Sequence, residues 1–142
     1  MIPKNQFLEN DGLVPDFEEG VEPSKTYKLH LKNCHCAGTI DGIEAVKQAI
    51  FLMLSIERYD YPIYSWNYGV EFKDLFGKPP AYVASEVPRR IRECLLMDDR
   101  ILEIDQFNVQ IQKNKVYVTF VAHTVFGEVP LDWEVNLDGG TV

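Results

Sequence analysis

Basic residues are scarce in this chain of 142 residues: 14 Lys and Arg stand against 22 Asp and Glu, for a formal net charge of −8. That balance argues against binding a nucleic-acid backbone, which needs clustered cations to displace counterions. Cysteine is scarce as well, and the three present leave one thiol over from any pairing, so a disulfide framework is not expected and a reducing compartment fits. No apolar run approaches the roughly 20 residues that cross a bilayer. The longest, within Ala49 to Ile56, belongs to an amphipathic pattern. Met1 is followed by neither a basic segment nor an apolar stretch, so no secretory signal is expected. A phosphate-cradling loop is missing too, since GTIDG has neither the lysine nor the glycine spacing.

What is present is a globular composition, 46% hydrophobic and 25% charged, in a length that suits one domain with its own core. The acids concentrate at the ends. Residues 1 to 24 carry six acids and one base, and residues 127 to 142 carry four acids and no base, which leaves the middle close to neutral. The expected organisation is an acidic N-terminal arm over 1 to 24, one domain over 25 to 136, and a short tail over 137 to 142.

Periodicity orders the domain. Tyr27, Leu29 and Leu31 alternate with polar residues, as in a half-buried strand. Asp41 and Glu44 have the spacing of a capping box ahead of Ile43, Val46, Ala49, Ile50, Met53 and Leu54, which predicts a helix from Gly42 to near Glu57. Glu71 to Phe76 reads as a short turn stopped by Gly77, Pro79 and Pro80. A second helix is expected from Glu86 to Met97, capped by Ser85, with Val87, Ile91, Cys94 and Leu95 inward and Arg89, Arg90 and Arg92 outward. The period then becomes two, with Phe107, Val109 and Ile111 in one strand, a bulge near Asp105, a KNK turn, a strand from Val116 to Phe126 and a last strand from Val129 to Val135. The fold class is α+β, with two main helices on one face of a small, mainly antiparallel sheet in the order β-α-α-β-β-β.

Residues 58 to 69, RYDYPIYSWNYG, hold four of the seven tyrosines and one of the two tryptophans. Such a segment can stack sugars, meet a partner, or pack on its own core. Glu57, Asp60, Glu71 and Asp74 flank it, and paired carboxylates beside aromatics are what a peptidoglycan-directed glycoside hydrolase requires. That is the alternative function, and a free-standing glycan-binding module is a third. His30, Cys34, His35 and Cys36 carry ligand atoms, but C-x-C on an extended segment does not converge as a zinc site needs, so no metal or cofactor is expected. Cys94 falls on a buried helical stripe, and His123 sits in a strand without a nucleophile motif.

Taken together, DGIEAVKQAI, ERYDYPIYSWNYG, DLFGKP and RRIRECLLMDDRI resemble the baseplate wedge proteins of contractile phage tails, the sheath-initiator family once labelled lysozyme-like, and most of all its branch in PBSX-like prophages and tail-like bacteriocins. The resemblance covers roughly residues 26 to 135. It implies a non-enzymatic baseplate protein that joins the wedge to the first sheath ring by strand exchange, in a sixfold ring, with sheath, wedge and tube or hub proteins as partners and neither nucleic acid nor membrane. It also implies assembly in the bacterial host cytoplasm and residence in the particle's baseplate. The family's Glu-Pro-Arg docking triplet aligns with Asp98, Asp99 and Arg100, without the proline. The remaining candidate contacts are the aromatic Tyr61, Tyr64, Trp66 and Tyr68, the basic Arg89, Arg90 and Arg92, and the terminal strand with Val129, Leu131, Trp133 and Val135.

Overall fold

The computed structural model describes residues 23–138, so the acidic arm before Pro23 and the tail beyond Asp138 lie outside the described residues. Its elements are β1 (Thr26–His30), β2 (His35–Ile40), α1 (Gly42–Ser55), a 3-10 turn (Lys73–Leu75), α2 (Pro80–Leu95), β3 (Ile101–Gln112), β4 (Lys115–Thr124) and β5 (Gly127–Asn136). This is an α+β fold with two helices and antiparallel sheets. The first β of the expected order is a hairpin: β1 and β2 pair with each other, while β3, β4 and β5 form a separate three-stranded sheet in that spatial order. No helix among the described residues is long and apolar enough to cross a membrane.

The core lies between the helices and one face of the three-stranded sheet. From α1 come Val46, Ile50, Met53 and Leu54, from α2 Val83, Val87, Ile91, Cys94 and Leu95, and from β4 Val116, Val118, Phe120 and Ala122, all buried. The helical residues recur at three- and four-residue intervals and the strand residues at two, so each element turns one stripe inward. Side chains of this size contribute about 1.5 to 3 kcal/mol each on full burial, before the cost of ordering them. The bulge expected near Asp105 is present: pairing to β4 shifts between Asp105 and Asn108, and Gln106 adopts φ 54°.

Helix α2 begins six residues before the expected start. Pro79 occupies the N-cap and Pro80 the first helical position, where a missing N–H costs no intrahelical bond, so the two prolines start the helix instead of stopping the turn before it. Ser85 is consequently interior, its hydroxyl donating to Tyr82 O at 2.7 Å, and Pro88 sits mid-helix. Asp41 caps α1 by accepting from Gly42 N at 2.7 Å, while Glu44 pairs with Lys47.

The β1–β2 hairpin stands apart from the main sheet. Of the apolar row expected to be half buried, Tyr27 is 72% and Leu31 57% exposed, and only Leu29 is partly covered. The hairpin is tied to α1 through Gln48, whose side chain accepts from Leu29 N and donates to Tyr27 O, both at 2.9 Å. One amide thus stands where a neighbouring strand would be.

Candidate interaction surfaces

The aromatic segment is an irregular loop between α1 and the 3-10 turn, closed at its base. Val70 N donates to Ile56 O at 2.9 Å and Arg58 N to Val70 O at 3.0 Å, forming an isolated parallel bridge between Glu57 and Val70. Glu57 continues the closure: its carboxylate accepts from the amides of Phe72 and Lys73, each at 3.1 Å. On this base Tyr61 meets Tyr64 edge-on at 6.3 Å, and Tyr64 stacks on Tyr68 at 4.5 Å. Tyr68 is half buried, and burial, followed by the proximity of Tyr64, raises its pKa. Trp66 is 76% exposed, and Ile63, three residues before it, is 84% exposed. Tyrosine and tryptophan present large apolar area with few rotors to freeze, which suits a protein contact.

A groove of about 500 Å³ runs beside Tyr68, lined also by Met53, Asn67, Met97 and the triplet Asp98, Asp99 and Arg100. Asp98 and Arg100 satisfy one another: the carboxylate accepts from Arg100 N at 3.0 Å, Nε at 2.9 Å and Nη2 at 2.6 Å. Burial alone would raise the Asp98 pKa, but the Arg100 bonds outweigh it and hold the carboxyl below its ordinary value. Asp99 is exposed. The structure therefore brings the triplet and Tyr68 to one groove. Met97, at the end of the α2 segment, is a lining residue that the sequence reading did not single out.

Of the three arginines of α2 expected to point outward, Arg89 and Arg92 are exposed and Arg90 is not. Arg90 is buried, donating to both Asp74 oxygens at 2.5 and 2.8 Å and to Glu71 O at 2.7 Å. Arg89 is exposed but lies between Glu86 and Glu93, at 2.5 and 2.7 Å. Arg92 lies over the Phe107 ring, its guanidinium carbon 5.1 Å from the centroid. An arginine bound to a carboxylate or laid on a ring offers little charge to a partner.

In β5, Val129 and Val135 are buried and Leu131 and Trp133 half buried, all turned to the core, with Trp133 edge-on to Phe51 of α1 at 5.7 Å. Glu128, Pro130, Asp132 and Glu134 occupy the open face. On that face His123 of β4 bridges its neighbours, Nε2 3.0 Å from Asp105 of β3 and Nδ1 3.4 Å from Glu128 of β5, with Glu103 opposite in register. The Asp105 hydrogen bond is the main reason that the His123 pKa lies above its ordinary 6.5. Raised in the folded state, this group contributes stability fully below its ordinary pKa and loses the contribution as pH climbs through the raised value. Between about pH 6 and about pH 9 the melting temperature should fall more in the natural chain than in His123→Gln. Parallel profiles would disprove the bridge.

The carboxylates considered for sugar chemistry are all engaged structurally. Glu57 caps amides, Asp60 pairs with Lys73, Glu71 faces Arg58 at 3.9 Å, and Asp74 holds Arg90. The Arg90 bond, opposed by partial burial, lowers the Asp74 pKa, the reverse of what a general acid needs. At the hairpin tip the His30 and His35 rings stack at 4.6 Å, and no group of three or more potential metal ligands converges among the described residues. Burial pushes the Cys94 thiol up to about 12, which makes it a packing group rather than a nucleophile.

Residues 23–127 match the model of the contractile injection system sheath initiator family. The Phage-like element PBSX protein XkdS of Bacillus subtilis (strain 168) is 36% identical over 124 residues, which is 84% of this chain and 88% of that protein.

Proposed function

The chain belongs to the contractile injection system sheath initiator family, and on that premise we propose that it joins the baseplate wedge to the first ring of sheath by strand exchange. Six copies around the tube would each offer one sheet to the sheath and one groove to the wedge. The observation that best supports this reading is the three-stranded sheet, whose β3 and β5 have no strand beyond them among the described residues. An open edge is completed by a neighbour's strand through main-chain hydrogen bonds. In this scheme β5, with Val129, Leu131, Trp133 and Val135 packed inward, is the chain's own part of the composite sheet.

At the groove, Asp98, Asp99 and Arg100 dock on the wedge, and Tyr61, Tyr64, Trp66 and Tyr68 extend that contact, with the stacked tyrosines stiffening the exposed surface. Tube or hub proteins are the remaining neighbours. Assembly takes place in the bacterial host cytoplasm, before the protein takes its place in the baseplate. The reading has no catalytic step.

The test is a producing cell from which only this chain is removed. Electron microscopy of its particles should show tubes and baseplates without attached sheath, restored by supplying the chain in trans. Full-length, baseplate-attached sheath in its absence would overturn the proposal, and peptidoglycan hydrolysis by the purified chain would revive the enzymatic alternative.

A further inference from the structure

Among the described residues the sheet has two open edges, and they are chemically unlike. Backbone groups along a strand alternate between its two neighbours. The bond from Leu137 N to Asn114 O, at 2.8 Å, continues the β4–β5 ladder in its register, so odd-numbered residues of β5 turn their N–H and C=O toward β4 and even-numbered ones turn theirs outward. Pro130 is on the outward set. Its missing N–H leaves the ladder to β4 intact but leaves a gap in the free edge, and Glu128, Asp132 and Glu134 add charge along it. Proline and charge are the devices that keep edge strands from pairing.

The β3 edge has no such guard in its second half. The same alternation in β4, carried through the pairs Asn108 with Thr119, Gln110 with Tyr117 and Gln112 with Lys115, turns the backbone groups of Val109 and Ile111 outward. Nearer the start of the strand, Arg92 donates to Ile104 O at 3.4 Å and covers Phe107, closing that part from the α2 side. Beyond it, Val109 is only half buried and Ile111 is 47% exposed, although both face the core side. From Phe107 to Gln112 there is no charge, proline or glycine.

We propose that the β3 edge at Val109 and Ile111, rather than the β5 edge, receives an extended segment of the sheath protein, one that is uncharged and apolar at alternate positions. The proposal rests on the strand-exchange reading above. The unpaired backbone groups call for a strand, and the half-open apolar row calls for side chains that finish the core beside it. A second copy of this chain is the poorer occupant, because each copy carries a net charge of −8 and its other free edge is acidic and interrupted by Pro130.

The experiment compares particles assembled with Ile111→Pro, Ile111→Lys and Asp132→Pro. Each proline removes an outward N–H without touching the ladder to β4, and the lysine keeps the backbone while charging the edge, so it serves where Ile111→Pro fails to fold. Circular dichroism melting of each purified variant monitors folding. Both Ile111 variants should reduce the fraction of tubes with attached sheath about tenfold or more, and Asp132→Pro should leave it unchanged. Loss of sheath in Asp132→Pro, alone or with the others, would overturn the choice of edge while leaving strand exchange standing. Normal sheath in all three folded variants would remove strand exchange itself. A purified natural chain that dimerises, with the dimer lost in Ile111→Lys, would reassign the edge to a second copy and overturn the proposal.

Discussion

Replacing Asp74 by alanine is expected to lower the stability of the domain by about 3 kcal/mol, near the lower end of what breaking a buried ion pair costs. The pair is lopsided. Arg90's side chain is 9% exposed and Asp74's is 64% exposed. Removing the carboxylate leaves a buried guanidinium whose remaining bond among the described residues is to Glu71 O at 2.7 Å, since none of them offers Nε an acceptor in reach and Glu86 lies 3.6 Å away. Removing the arginine instead frees an exposed carboxylate that water can solvate, so Arg90→Ala should lose less, about 2 kcal/mol, mostly in packing. In a chain of this size the larger loss lowers the melting temperature by about 9 °C. Urea titrations that find Arg90→Ala as damaging as Asp74→Ala would show that the attraction of the pair, and not the burial of one partner, sets the energy. The pH dependence follows the lowered Asp74 pKa: the contribution is present above the ordinary value of 3.8 and disappears as pH falls through the folded value.

Arg90 also shows what the sequence made legible and what was misread in it. Val83, Val87, Ile91 and Cys94 are buried at four-, four- and three-residue steps, and Arg90 lies on the same stripe. Its position carried the signal for burial. Neighbouring Arg89 and Arg92 made the three read as one charged face, yet one pairs with glutamates, one enters the core margin and one covers a ring. In the same way, Pro79 and Pro80 mark an irregular stretch equally well as a stop or as a start, and local pattern does not decide between them. Strand β2, HCAGTI, has no alternation to find, because none of its side chains is fully buried and pairing with β1 alone makes it a strand. The long periodic elements α1, β3, β4 and β5 were legible because each buries a stripe in one core, and the stripe is written in the residues.

The candidate surfaces divide along the same line. Aromatic residues in a loop announce themselves by type, and the triplet by a resemblance in charge to a family pattern whose proline it lacks. The groove that joins Tyr68 to Asp98 and Arg100 depends on tertiary placement, since the loop and the end of α2 are about 30 residues apart in sequence. An open strand edge is invisible in sequence for a related reason: whether Val109 turns its N–H outward depends on the bulge at Gln106, which resets the alternation relative to Ile104.

Gly69→Ala should be the most damaging glycine-to-alanine change among the described residues. Gly69 adopts φ 96°, and a Cβ there would lie 2.6 Å from Ile56 O and 3.1 Å from Arg58 N, which are backbone atoms of the bridge that closes the aromatic loop. Neither can swing aside as a side-chain tip would. Left-handed strain of roughly 1 to 3 kcal/mol and a comparable overpacking cost together predict a loss of about 4 kcal/mol. Gly38 is the matched control: it has φ 78° with nothing within 4 Å of the added atom, so Gly38→Ala should incur the strain alone. The loss at Gly69 can be relieved locally, by opening the loop while the sheet stays folded. Hydrogen exchange separates the outcomes, because local opening deprotects the amides of Arg58, Val70, Phe72 and Lys73 and leaves Val118 and Phe120 in β4 protected. Near-ultraviolet circular dichroism should then weaken as the Tyr64–Tyr68 stack at 4.5 Å disperses. If the loop surface contacts the wedge, the same variant should fail to enter baseplates although its sheet is intact. Natural exchange rates at Arg58 and Val70 in Gly69→Ala would contradict the account, because the crowded glycine would then not be what holds the loop closed.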